Sequence, residues 1–396
     1  MFEVDLEPSE EELTTGKLND YPPAPEKIKI NQEWLSNYQK KLIEGTPTTN
    51  VEKLVPHMMK REKYVVHEQT LYRYIQLGFK VTKVRRISSY TQVAWMKSYI
   101  EGNIARRARA KNKIEKDFYK LMCNSVFGKT MENIRNRRDI RIVETKTEKG
   151  QKRASKLFNK SNFANLKIFN ENLCGIEMYK RKLYMNKPIY VGMSILDLSK
   201  EYMYWFYYDV YKKMYPNPLG KPKSCQLLYT DTDSFIMNVY TEDVYYDMLP
   251  SSLEKHNIPN IYDTSDYPQE HFLYSSENKK VLGKMKDEMN GRPIEEYVGI
   301  RSKMYSVLVG NHSFKKAKGI KKCVIQRDLT HEMFKSCIFD SKQFTNKQKQ
   351  ITSQNHNLYT TEADKVSLNP FDNKRYICDD KISTLPFMES HEGNNT

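Results

Sequence analysis

The chain has 396 residues, and at roughly 150 residues per domain that predicts two to three structural units and excludes a single small domain. A hydrophobic content of 39%, with 28 Tyr and 16 Phe, supplies apolar surface for real cores and excludes a disordered chain. Sixty-five Lys and Arg against 49 Asp and Glu give a formal charge of +16, so the expected partner is a polyanion, nucleic acid first.

The charge is unevenly placed. Residues 1–26 hold eight acids against the single Lys17, whereas residues 100–160 hold 18 basic residues against seven acids and residues 279–327 hold 13 against four. Two basic blocks suggest a duplex held from two sides. The six cysteines, Cys123, Cys174, Cys225, Cys323, Cys337 and Cys378, are scattered without a CxxC pair, which fits a reducing compartment. No apolar run reaches the roughly 18 residues of a membrane span, and the start has no basic-then-apolar leader. The expectation is a soluble intracellular protein, nuclear or cytoplasmic, with no membrane partner.

In chain order, Met1 to Glu7 alternates apolar and charged residues, which predicts a half-buried strand with no flexible lead-in, as in the middle of a longer protein. Pro22, Pro23 and Pro25 then break the chain, and a mixed segment with Trp34, Leu35, Tyr64, Leu71 and Tyr74 reads as a small α+β insertion to about residue 95. From Ala105 to Ile134 only Gly128 interrupts a helical pattern in which Ile114, Phe118, Leu121, Met122 and Ser125 recur on one side, so a long basic helix, or two in a hairpin, is expected. Residues 140–190 read as short strands and turns. Ser194 to Met214 reads as a buried aromatic helix, ended by Pro216, Pro218, Gly220 and Pro222, with strands following at Gln226–Tyr229 and Phe235–Tyr240. A strand pair near Met304–Val309, the basic stretch Lys315–Lys322, and a polar tail from about Ser341 to Gly393-Asn394-Asn395-Thr396 complete the pattern.

Three stretches carry chemistry. In Leu227-Leu228-Tyr229-Thr230-Asp231-Thr232-Asp233-Ser234-Phe235-Ile236, two apolar runs flank a polar turn, predicting a hairpin with Asp231 and Asp233 at its tip. Carboxylates two residues apart in extended chain face one way, so both could approach a hard cation such as Mg2+; an ordinary Asx-type turn uses the same residues. In Lys120-Leu121-Met122-Cys123-Asn124-Ser125-Val126-Phe127-Gly128, Lys120, Asn124 and Phe127 share a helix face that offers a nucleotide charge, hydrogen bonds and a flat ring; a solvated charged face would look alike. In Lys303-Met304-Tyr305, strand alternation puts a cation and a phenol side by side, although strand lysines usually just face solvent.

Taken in order, these stretches resemble motif B (KLMCNSVFG), motif C (YTDTDS) and the KxY motif (KMY) of family B DNA polymerases. The likeness is strongest to the protein-primed branch of phages, linear plasmids and Maverick/Polinton transposons. Asn19-Asp20-Tyr21-Pro22, Ala24-Pro25-Glu26-Lys27, Glu115-Lys116-Asp117-Phe118-Tyr119 and Lys316-Ala317-Lys318-Gly319-Ile320-Lys321 are similar to the transposon group, so the resemblance covers most of residues 1 to about 387. It implies an α+β right hand of palm, fingers and thumb, incomplete at the N-terminus. Residues 1–95 would be a palm remnant with a first terminal-protein-region-like insert, 96–139 fingers, 140–190 a second, strand-displacement-like insert, 191–300 palm with motif C, and 301–396 palm end, thumb and polar tail.

The resemblance also implies roles. Asp233 would be the principal Mg2+ ligand and Asp231 its assistant; Lys120 would contact the incoming deoxynucleoside triphosphate, with Asn124, Phe127 and Gly128 lining the pocket and Arg107 and Arg109 assisting. Lys303 and Tyr305 would steady the primer strand of template-primer DNA, with Lys316, Lys318 and Lys321 in the basic stretch beyond, and a terminal protein could serve as primer. The reaction implied is two-metal nucleotidyl transfer in DNA replication. Phe127 stands where the family usually has Tyr. Motif A, an Asp followed by a Leu-Tyr step, has no counterpart; Asp20-Tyr21-Pro22 lies downstream of its place and lacks the preceding apolar strand. The N-terminal exonuclease is missing as well. One ligand of the metal pair is therefore absent from this chain, which leaves two outcomes: a polymerase fragment, or a non-catalytic DNA-binding remnant of a transposon or viral polymerase. A carboxylate-metal nuclease would need more acids around Asp231 and Asp233 than the sequence offers.

Overall fold

The computed structural model describes residues 1–45, 51–217, 223–354 and 357–388. The chain is mixed α+β, 32% helix and 30% strand. It forms two compact units: Met1–Ser98, Ser194–Asn346 and the chain from Lys365 make the first, Tyr99–Met193 and Lys347–Asp364 the second.

In the first unit the alternation at the start becomes the strand Phe2–Pro8, the centre of a three-stranded antiparallel sheet between Arg61–Val66 and Phe79–Ile87. Its inward Val4 and Leu6 are fully buried. The proline-rich segment after it is held by its carbonyls. A helical run follows from Ile189 through a wider π turn at Phe206–Tyr211 to Met214. Its Tyr204 hydroxyl donates to the Pro22 carbonyl at 3.0 Å, Tyr208 to the Tyr21 carbonyl at 2.8 Å and Tyr207 to Asp20 at 3.2 Å. Phe206, Tyr207, Val210 and Tyr211 are buried, so the aromatic helix is core, and its phenols supply the donors that the prolines lack. Pro218, Gly220 and Pro222 lie outside the described residues.

Arg61 completes this clamp. Its guanidinium, fully buried, donates to the carbonyls of Ala24 at 3.0 Å and Pro23 at 3.2 Å and also to those of His57 and Met59. Burial lowers its pKa to about 10. His57, buried beside it, accepts the Met59 N–H at Nδ1 (3.2 Å) and donates from Nε2 to Glu26 (3.3 Å); burial lowers its pKa to about 3.

Residues beyond Ser341 correct the expectation of a polar tail. They form a two-stranded ribbon, Phe344–Gln354 with Asn357–Leu368. The chain then returns to the N-terminal region, where Phe387 is fully buried with Leu35 and Val55 and Met58 N–H donates to its carbonyl at 2.8 Å. Polar composition suggested a tail, but a strand ladder satisfies backbone groups whatever the side chains, and a few aromatics suffice to anchor an end. The closing Gly393-Asn394-Asn395-Thr396 lies outside the described residues.

The second unit contains two helices, Lys97–Arg109 leading in from the first unit and Lys113–Thr130, separated where Asn112 caps the latter by accepting from Glu115 N–H at 2.9 Å. Ile114, Phe118 and Leu121 are 82%, 52% and 58% exposed, so the recurring apolar positions do not mark a buried face. A three-stranded sheet with Leu173–Tyr179 between Arg138–Glu144 and Phe163–Asn170 follows. Helix Glu148–Phe158 covers it, packing Ala154 on Val143, Cys174 and Ile176. That helix corrects the reading of 140–190 as strands and turns; its start signal is Thr147, whose hydroxyl accepts Gly150 N–H at 3.1 Å.

Replacing Arg61 by Met strands four carbonyl contacts and destabilises the fold by about 3 kcal/mol in chemical denaturation. An unfolded histidine protonates near 6.5 but folded His57 only near 3, so this contribution is complete above pH 6.5 and is lost as pH falls below it, at up to about 1.4 kcal/mol per pH unit. In denaturation curves from pH 7 to pH 4.5, His57→Asn, which keeps an acceptor for Met59 N–H, flattens that slope.

Candidate functional site: two carboxylates, a lysine and three tyrosines

The aspartate hairpin, Cys225–Thr230 paired antiparallel with Phe235–Val239, is anchored at its base. The Asn217 amide takes the Cys225 N–H at 3.0 Å and donates to its carbonyl at 2.7 Å, while Cys225 and Phe235 pack into the aromatic core. At the tip, Asp233 N–H donates to the Asp231 carbonyl at 2.7 Å, and Asp231 N–H to the Ser234 carbonyl at 3.1 Å. The first bond closes a γ-turn whose central Thr232 has φ +62°, rare for a β-branched residue. Strain of this kind persists only where the surroundings impose it. Here it holds two carboxylates on one short turn, and Asp233 is exposed with no side-chain partner among the described residues.

A second element in the same unit meets that tip. The meander Glu296–Arg301, Met304–Val309 and His312–Ala317 makes its first turn at Lys303, which has φ +60°. Lys303 is thus a turn residue, not the first residue of the strand as its spacing suggested, and it leaves the Tyr305 face. Its backbone N–H donates to the Tyr229 hydroxyl at 3.2 Å, and its ammonium donates to both Asp231 oxygens at 2.8 and 2.5 Å. This hydrogen bond and charge hold the Asp231 carboxyl below its ordinary range and raise the Lys303 ammonium.

Beside the ion pair lie Tyr229, Tyr297 and Tyr305, with ring centroids 4.8 Å (Tyr229–Tyr305), 6.0 Å (Tyr297–Tyr305) and 6.4 Å (Tyr229–Tyr297) apart. Lys316, cross-strand from Tyr305, sets its ammonium 5.6 Å from that ring's centroid, and Lys318 N–H donates to the Lys303 carbonyl at 3.1 Å. Lys321 precedes the helix Lys322–Asp328 as its N-cap residue. The structure therefore joins Asp231, Asp233, Lys303, Tyr305, Lys316 and Lys318 in one neighbourhood.

The other candidates belong to the second unit. Lys120, Asn124, Phe127 and Gly128 lie on helix Lys113–Thr130, with Lys120 and Asn124 exposed and Phe127 half-buried; Arg107 and Arg109 end the preceding helix. Tyr229, Tyr297 and Gly299 were missed as site residues. Gly299 is needed because Tyr297 folds across it: a β-carbon there would stand 2.1 Å from the Tyr297 hydroxyl. A glycine two residues after a strand tyrosine was the available signal.

The carboxylates and turn oxygens are the hard donors that Mg2+ takes, and one or two carboxylates are its usual protein share, substrate phosphates and water completing the shell. Asp233, exposed and without a side-chain partner among the described residues, could offer its carboxylate to such an ion, whereas Lys303 already holds both Asp231 oxygens. Among the described residues no group of three or more His, Cys, Asp or Glu side chains converges as a metal site. Asp20 is no third ligand candidate on its contacts: Lys223 at 3.0 Å, Lys212 at 3.6 Å and the Tyr207 hydroxyl already engage it. No helix among the described residues is long and apolar enough to cross a membrane. No family model matches the chain, and neither a curated protein nor a solved structure matches it.

Gly299→Ala forces the Tyr297 ring off its seat and costs about 1–2 kcal/mol, read as a lower melting temperature together with a changed near-ultraviolet tyrosine signal.

Proposed function

We propose that this chain is the polymerase region of a DNA-directed DNA polymerase of family B, of the protein-primed branch, transferring nucleotides to a DNA or protein primer. The reading rests on three motifs in family order. The observation that carries it is the contact between two of them: the Lys-Met-Tyr lysine bonds the first aspartate of Thr-Asp-Thr-Asp-Ser from 72 residues away. The contact ties two of the three motifs together in space, which their order in the sequence alone does not require.

In this proposal Asp233, with Asp231, would hold a divalent ion, which when bound neutralises the triphosphate and activates the primer hydroxyl. The chain's own residues position the reactants. Lys120 would neutralise the triphosphate, with Arg107 and Arg109 assisting, while Asn124, Phe127 and Gly128 would border the nascent pair. Tyr305, on the rigid meander, would steady the primer end, and Lys316, Lys318 and Lys321 would meet backbone phosphates without regard to sequence. Lys303 would serve twice, balancing Asp231 while no cation is near and binding phosphate once one arrives. Palm, fingers and thumb are assignments of this proposal, as is the place of a third strand, bearing the motif A aspartate, beside the two-stranded aspartate hairpin.

With one aspartate of the metal pair absent, purified chain is expected to give no primer extension above background, and extension would overturn the fragment reading. DNA affinity should fall steeply with salt, with Lys316→Ala and Lys318→Ala each lowering the log–log slope by about 1. The occupation of Asp231 by Lys303 favours a second reading, a DNA-binding remnant without chemistry. The two differ on metal: a polymerase site retains deoxynucleoside triphosphate on template-primer in Mg2+ and releases it in EDTA or in Asp233→Asn, while a remnant retains DNA equally in both and no nucleotide in either.

A further inference from the structure

The net charge of the chain is concentrated in the second unit. Tyr99–Met193 and Lys347–Asp364 hold 25 Lys and Arg against 11 Asp and Glu, a net +14 of the chain's +16. A field of that sign attracts polyanions. Within the unit, the sheet is covered by helix Glu148–Phe158 on the face that carries Val143, Cys174 and Ile176. The strand register places Arg138, Ile140 and Ile142 on the other face, with Arg138 directly across from Tyr179 and Ile140 across from Glu177. Ile140 and Ile142 are 65% and 63% exposed, so this face lies open.

The two ends of the face differ in charge. At one end stand exposed Glu144 and, in the adjoining turn, exposed Glu171. At the other end the acids are already engaged: Arg138 pairs with Glu177 at 3.2 Å, Arg141 with Asp139 at 2.8 Å and Arg137 with Glu132 at 2.7 Å. The Arg138 guanidinium also lies 4.4 Å from the Tyr179 ring centroid, and that ring stays 50% exposed. The chain leaves the sheet at this end as Lys180-Arg181-Lys182-Leu183-Tyr184-Met185, every residue exposed and Tyr184 at 75%. Asn162 fixes the start of that stretch, donating to the Tyr179 carbonyl at 2.7 Å and accepting from Arg181 Nε at 3.4 Å. Lys180 and Lys182 have no ion-pair partner among the described residues, and the Tyr184 side chain has no partner there either. Two rings with open faces thus stand beside two unneutralised ammonium groups, flat surface for bases and charge for phosphates.

We infer that this basic, aromatic end of the sheet is a binding site for single-stranded DNA of any sequence, bases stacking on Tyr179 and Tyr184 while Lys180 and Lys182 meet the phosphates. A duplex keeps its base faces stacked against one another and offers the rings nothing, so an unpaired strand is the form that fits. Ile140 and Ile142, next along the face, give a ribose 2′-hydroxyl no hydrogen-bond partner, which favours DNA over RNA. The proposed function gives none of these residues a role, and this site needs no metal and no nucleotide.

Fluorescence anisotropy of labelled oligothymidylate in EDTA tests it, on the full chain carrying Lys316→Ala and Lys318→Ala so that the other basic stretch does not mask the effect. The expected result is saturable binding, tighter than that of oligouridylate or of a blunt duplex of the same length. Tyr179→Ala and Tyr184→Ala each weaken it by about fivefold or more, and Tyr184→Phe, which keeps the ring, retains it. Replacing Lys180 and Lys182 together by Ala lowers the log–log salt slope by about 1.4. Tyr184 belongs to no core, so its variants keep the test valid should Tyr179→Ala unfold. The polymerase reading is scored separately, by nucleotide retention in Mg2+, and its failure leaves this result standing. No saturable binding, equal binding by the Tyr184→Ala chain, duplex or oligouridylate bound as tightly as oligothymidylate, or Tyr184-dependent binding to phosphatidylserine vesicles in place of oligothymidylate would overturn the inference.

Discussion

The turn that carries Asp231 and Asp233 is tied to a second element of its unit by one cation, which sits on one of the two carboxylates. Lys303 grips both oxygens of Asp231, and its own backbone hangs from the Tyr229 hydroxyl. The hairpin and the meander are thereby fixed to each other through one side chain. At partly exposed positions such a pair adds little to global stability; its effect is geometric, since it leaves Asp233 the carboxylate of the two without a side-chain partner among the described residues.

That geometry depends on a scaffold of phenols. The aromatic helix points Tyr204, Tyr207 and Tyr208 at Pro22, Asp20 and Tyr21, while Tyr21 packs edge-on against Phe235 at 5.4 Å, the first residue after the carboxylate turn. Proline-rich chain cannot donate hydrogen bonds, so its carbonyls need donors from elsewhere, and the tyrosines and buried Arg61 provide them. The high tyrosine count is therefore partly a requirement of this segment, each ring filling core while its hydroxyl closes a buried carbonyl.

Much of this was legible in the sequence, for physical reasons. The first strand declared itself by period-two alternation, the aspartate hairpin by apolar runs around a turn, and the Lys113–Thr130 helix by the absence of breakers. In each of these the signal is local, carried by neighbours in sequence. The αL turn at Lys303 was not legible, because lysine gives no turn signal; nor was helix Glu148–Phe158, whose basic outer face hides a short apolar stripe. The Tyr229, Tyr297 and Tyr305 cluster joins residues 76 apart in sequence, so only the fold reveals it. The return of Phe387 to Leu35 and Val55 escaped for the same reason.

The proposed function would make Asp233, with Asp231, a divalent-cation site that works together with a bound nucleotide. Electron paramagnetic resonance of Mn2+ added to the full chain with template-primer and deoxynucleoside triphosphate reads it directly. The account predicts about one protein-bound Mn2+ per chain, nucleotide-dependent and absent in Asp233→Asn, since two carboxylates neutralise a single such ion. Mn2+ bound equally by wild type and Asp233→Asn, or bound by neither, would contradict it.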